Sequence, residues 1–169
     1  MAFRPHSLPL ERWPAHHQEC WAKANQAGGL FRPSGRAAHW RPHSARKTAK
    51  GWGVWLSWNI EKGHAIQDTT PEAIVTRERV DAYLTDVEET NTGWTPYNRA
   101  QELYDAVRVM TPHLEPSAWD WLKVCFENLR LVAIPSRNKL ERIKMAWQVE
   151  DLGLGLMKSA ETLPALSRR

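Results

Sequence analysis

Thr95-Pro96-Tyr97-Asn98-Arg99-Ala100-Gln101-Glu102-Leu103-Tyr104-Asp105-Ala106-Val107-Arg108-Val109-Met110 is the stretch on which the fold turns. Threonine followed by proline reads as an N-cap with proline at the first helical position, where the missing N–H costs nothing and the fixed φ suits the helix. Ala100, Leu103, Tyr104 and Val107 then recur at three- and four-residue spacing, which lays them along one face as far as Met110. A helix with one apolar stripe must bury it against neighbours, and the flanking sequence offers neighbours with the same period.

Upstream, Ser44 reads as an N-cap ahead of Trp52, Trp55, Leu56 and Asn59 on a single face, a run that Gly63 ends. Thr76 caps a second helix with the stripe Val80, Tyr83, Leu84 and Val87. Downstream, Ser117 caps a helix carrying Trp121 or Leu122, Cys125, Leu129 and Val132, and Pro135 stops it. Val149, Leu152, Leu156, Met157 and Ala160 mark a last helix, weakened by Gly153 and Gly155 and closed by Pro164. Before residue 44, eight prolines and glycines (Pro5, Pro9, Pro14, Gly28, Gly29, Pro33, Gly35 and Pro42) leave room for one short helix, from Ala15 to Asn25.

No segment alternates with period two. The expectation is therefore all-α: a bundle of four to five helices over residues 44–163, an irregular basic arm over 1–43, and a basic tail or linker over 164–169. Most of the ten tryptophans then belong to the core. Trp13, Trp40 and Trp94, in irregular or capping segments, are left for a partner.

Charge is unevenly spread along the 169 residues, whose net value is only +4. Residues 1–50 hold nine Lys or Arg against Glu11 and Glu19, residues 51–130 sum to −6, and residues 131–169 to +3. Basic ends around an acidic middle suit a polyanionic partner gripped by the flanks. No apolar run approaches the roughly 18 residues of a spanning helix, and residues 1–10 lack the apolar core of a signal peptide, so a cytoplasmic protein with no membrane partner is expected.

Chemistry is sparse. His17, Cys20, His39 and His43 have spacings that zinc sites use, but the segment between them is no recognisable finger, and no metal or other cofactor is expected. Cys20 and Cys125 are too few for a disulfide framework. No nucleophile elbow, phosphate-cradling glycine loop or Cys/His signature occurs, so no active site is expected. Three polar, basic clusters stand out instead. Ser44, Arg46, Lys47, Thr48 and Lys50 crowd a helix start, where free N–H groups and the helix dipole favour phosphate. Thr95, Tyr97, Asn98 and Arg99 repeat the theme, and Asn and Arg are types able to read adenine and guanine edges. Arg137, Lys139, Arg142 and Lys144 form the third cluster, interrupted only by Glu141. Together they point to double-stranded DNA.

The order of segments also resembles a known family. Gly-Trp-Gly-Val-Trp-Leu-Ser-Trp (51–58), Gly63, Thr-Pro-Glu (70–72) and Val-Thr-Arg-Glu-Arg-Val-Asp-Ala-Tyr-Leu (75–84) come first. Thr-Pro-Tyr-Asn-Arg-Ala-Gln-Glu-Leu (95–103), Ala-Val-Arg-Val-Met-Thr-Pro (106–112), Arg-Asn-Lys-Leu-Glu-Arg (137–142) and Leu-Gly-Leu-Gly-Leu-Met (152–157) follow. From about Trp13 to Glu161 this pattern resembles the N-terminal part of bacterial and phage tyrosine recombinases, the phage integrase family.

The resemblance implies a SAM-like core-binding domain that clamps one face of a recombination site, with Ser44, Lys47, Thr48, Lys50, Thr95, Asn98 and Arg99 facing DNA. It also implies neighbouring recombinase protomers as partners and a nucleoid-associated protein. The family's catalytic arginine, lysine, His-x-x-Arg pair and tyrosine lie downstream of such a region, so the chain is expected to bind DNA without cutting it. A literal His-x-x-Arg at His43–Arg46, with Tyr83 after it, stands in the wrong place for that role. The alternative is a helical protein–protein interaction module whose basic ends serve solubility.

Overall fold

The computed structural model describes residues 6–91, 93–133 and 146–161. The chain divides into two compact units, residues 1–134 and 135–169. Among the described residues the structure is all-helical and contains no strand, only an isolated antiparallel bridge between Gly29 and Arg32.

The first unit holds α1 (Ala15–Asn25), α2 (Pro42–Glu61), α3 (Pro71–Ile74), α4 (Arg77–Thr90), α5 (Thr95–Met110) and α6 (Asp120–Val132), with 3-10 turns at Leu10–Arg12 and Pro116–Trp119. The helix read first from the sequence is the hub: α5 packs against α1, α2, α3, α4 and α6. Its burial accordingly exceeds one stripe and includes Ala100, Glu102, Leu103, Ala106, Val107, Val109 and Met110, with Tyr104 half-buried against Phe126.

α2 departs from the single-faced helix expected of it. Residues 51–59 are buried on every side, with Trp55 stacked on Trp58 at 5.3 Å and Tyr83 of α4 edge-on to both. Gly51 and Gly53 cost helix propensity, but a Cβ on Gly51 would collide with Glu102 of α5, and one on Gly53 with the backbone of Leu8. The N–H of Leu8 donates to the Gly53 carbonyl at 3.0 Å. A helix apolar all round has to be wrapped, and the wrapping is done by residues 6–40.

That segment is therefore no loose arm. Trp13, expected to be free, is 3% exposed and edge-on to Trp21, which meets Trp40 in turn. Of the three tryptophans reserved for a partner, only Trp94 is exposed.

Several helix starts also differ from the expectation. α2 begins at Pro42 with Arg41 as its N-cap, which puts Ser44 inside the first turn. The residue capping α5 is Trp94, entered through Gly93 at φ +73°, and Ser117 lies in a 3-10 turn leading into α6. At α2 and α5 proline preset for the first turn moves the boundary a residue or two ahead of the hydroxyl, whereas α6 starts only at Asp120, after the 3-10 turn. Thr76 does cap α4, accepting from the Arg79 N–H, and Gly63 ends α2 at φ +76° as the hinge of a Schellman motif, with His64 N–H bonded to Asn59 O at 2.8 Å.

The second unit contains α7 (Ala146–Glu161), on which Val149, Leu152, Leu154, Leu156 and Met157 are exposed.

Replacing Trp55, wholly buried between two aromatic rings, by alanine is expected to lower unfolding free energy by about 3–5 kcal/mol, read from urea midpoints at constant slope. Trp94→Ala should cost far less, and equal losses would contradict this placement of the core.

Candidate nucleic-acid interface

The solvent side of α2 carries His43, Arg46, Lys47 and Lys50 at i, i+3, i+4 and i+7, all exposed, with Ser44 beside them. Thr48 is the correction: it is 5% exposed, because four- and seven-residue steps from it lead to Trp52 and Trp55 and so to the core face. It is not available to a partner. Among the described residues no carboxylate lies within ion-pairing distance of Arg46, Lys47 or Lys50.

The helix start is open as well. α2 has neither an acidic residue in its first turn nor a side-chain cap, and α5 shares both features. The other two N-termini in the middle of the chain are closed: Thr70 caps α3 ahead of Glu72, and Thr76 caps α4 ahead of Glu78. Free N–H groups and the positive end of the dipole thus remain at α2 and α5.

These two open ends do not form one surface. Gly51 meets Glu102, Lys47 lies near both Glu102 and Asp105, and Arg36, six residues before α2, donates to the carbonyls of Arg108, Thr111, Pro112 and Leu114 at the end of α5. The two helices therefore run in opposite senses, with their N-termini at opposite ends of the pair.

What the packing brings together is the basic stripe of α2 and Arg99 of α5, with Glu102 beneath them. Arg99 Nη1 donates to Glu102 Oε2 at 2.5 Å, and both side chains are largely buried. Burial pushes the Glu102 carboxyl above its ordinary range, against the pull of Arg99, Lys47 and Lys50; burial does the same to Asp105 against Arg108 and Lys47. Arg99 is thus committed inward, a second correction to the site expected from sequence. Breaking such a pair strands a buried charge.

Thr95 and Asn98 are half-buried, and Tyr97 packs edge-on to Trp94 at 5.4 Å and Phe126 at 6.0 Å. Arg137, Lys139, Arg142 and Lys144 lie outside the described residues. Sequence reasoning missed Glu102; its only trace was the three-residue step from Arg99.

Other chemistry is weakly supported. Among the described residues no three His, Cys, Asp or Glu side chains gather as a metal site. His17 is fully buried, its Nε2–H donates to Thr69 O at 2.9 Å, and burial lowers its pKa to about 4. Tyr83 is buried, which raises its pKa and removes it from solvent. A cleft of about 540 Å³ is lined by His16, Cys20, Glu72 and His113 among others, but burial and Glu72 hold the Cys20 thiol protonated, the reverse of an activated nucleophile. No helix among the described residues is long and apolar enough to cross a membrane.

The buried His17 makes stability pH-dependent. Its folded value of about 4 lies below the ordinary 6.5, so the unfolded chain takes up the proton first. The stability present above pH 6.5 is then lost as pH falls from 6.5 to 4, by about 3 kcal/mol. Urea unfolding across this range should show the step in the wild type and a flatter profile in His17→Gln, which keeps a donor for Thr69 O; identical profiles would contradict the assignment.

No family model, curated protein or solved structure matches this chain.

Proposed function

We propose that this chain is a duplex-DNA-binding helical domain, SAM-like, of the kind that forms the core-binding part of tyrosine recombinases, and that it clamps one face of a recombination site. The observation that carries this reading is the stripe His43, Arg46, Lys47 and Lys50, exposed on a helix whose N-terminus is open and acid-free. Phosphates accept from free N–H groups and are attracted by such a stripe, and contacts of this kind supply most non-specific affinity. Half-buried Asn98 and Thr95, at the second open helix start, are the candidates for a further contact. The chain supplies grip and orientation, and strand cleavage belongs to a separate catalytic domain. Neighbouring protomers on paired sites are the further partners of this reading.

The rival reading, a helical protein–protein module, draws on the exposed Val149, Leu152, Leu156 and Met157 of α7.

Fluorescence anisotropy on a labelled mixed-sequence duplex across a salt series separates the two. Four or more phosphate contacts give a log–log slope of about −3.6 or steeper, and Lys47→Ala and Lys50→Ala should each make it shallower by about 1. Binding that ignores both substitutions, or none at low salt, would favour the module. Arg99→Ala and Glu102→Gln are poorer probes, because each strands the other member of a buried ion pair.

A further inference from the structure

Between α1 and α2 the chain forms a tight hairpin. Gly29 and Arg32 exchange both backbone hydrogen bonds, at 3.0 and 3.1 Å, around the two-residue tip Leu30–Phe31. Neither tip residue has a positive φ, as in a type I turn. Below the tip, Gly28 N–H donates to Ser34 Oγ at 3.1 Å and Gly35 N–H to Gln26 O at 2.9 Å. The base is seated on the end of α1, where Gly35 lies so close to the Lys23 and Ala24 carbonyls that a Cβ would not fit, and Ala37 N–H donates to Ala24 O at 2.8 Å.

This brace holds two large apolar side chains out in water. Leu30 is 91% exposed and Phe31 93%, the most exposed large hydrophobic residues described. Single exposed apolar residues are ordinary; an adjacent pair at the tip of a hydrogen-bonded mount is not what stability alone selects.

The surroundings decide between occupants. Residues 20–60 contain no Asp or Glu and seven Lys or Arg, among them Arg32 at the foot of the tip. Arg36, just after the hairpin, is anchored on the carbonyls at the end of α5, and α2 opens at that same end, so the base of the hairpin and the basic helix start share one end of the α2–α5 pair. A polyanion with an apolar interior satisfies both features. A lipid surface asks only for apolar reach, whereas parting stacked bases needs a tip that does not yield, and the hairpin is braced.

We infer that Leu30 and Phe31 form a wedge that enters a base step of duplex DNA from the minor groove, with Arg32 on the adjoining phosphate, and bends the duplex. This rests on the DNA-binding reading above and adds a deformation to it.

The test uses the full chain and a mixed-sequence duplex of about 30 base pairs carrying a donor and an acceptor dye at its ends, with anisotropy read in parallel. The variant is Leu30→Ser/Phe31→Ser, whose wild-type side chains are almost wholly in solvent, so folding is unaffected. The wild type is expected to raise energy transfer on binding; the variant is expected to leave the duplex straight and bind roughly tenfold more weakly, with an unchanged salt slope. If both proteins bind with equal affinity and equal transfer, the wedge is overturned and the DNA reading stands. If neither binds at low salt, both fall. Loss of binding to phosphatidylserine vesicles in the variant, with DNA bending intact, overturns the wedge in favour of a membrane contact.

Discussion

The close contact of α2 with α5, where Gly51 lies against the Glu102 side chain, is the constraint from which most of the first unit follows. Only a residue without Cβ allows that approach, and the approach is what lets Trp52, Trp55 and Trp58 leave solvent completely. Because residues 51–59 are then buried all round, two neighbours are not enough, and α4 and residues 6–40 have to close the remaining sides. Arg36 finishes the closure by taking the last carbonyls of α5, where a cation also meets the negative end of the helix dipole.

The same helix divides its length between two tasks. Its second half is core, whereas its first half reaches solvent with basic residues on the open side and Thr48 turned inward. Glu102 sits under the junction, protected from water and joined to Arg99. A buried ion pair contributes little net stability, but losing either member is costly; this one lies within α5 and engages Glu102, and Arg46, Lys47 and Lys50 have no carboxylate at ion-pairing distance. The hairpin of residues 28–34 extends the same end of the unit, and its apolar tip stands in a stretch without a single acidic residue.

Much of this was legible in the sequence, for local reasons. Periodicity located α2, α4, α5 and α6, since an amphipathic stripe is a property of neighbouring residues, and the gap between prolines and glycines located α1. The caps were less legible: Thr76 acts as read, but Ser44 does not, because proline at the first turn displaced the start of α2, and Ser117 does not, because a 3-10 turn precedes α6. The hairpin was read only as Gly and Pro punctuation, since its tip gains meaning from exposure and bracing, neither of which has a sequence period.

The sequence by itself determined the all-helical class, the order of the helices and the concentration of positive charge before residue 51, because each depends on spacing and composition along the chain. Only the tertiary structure decided that residues 6–40 are part of the core, that Thr48 and Arg99 turn inward while Arg46, Lys47 and Lys50 do not, and that the open ends of α2 and α5 lie apart. Those outcomes depend on which helices meet and in which sense they run, and that is set by long-range packing around one buried helix, to which no local pattern has access.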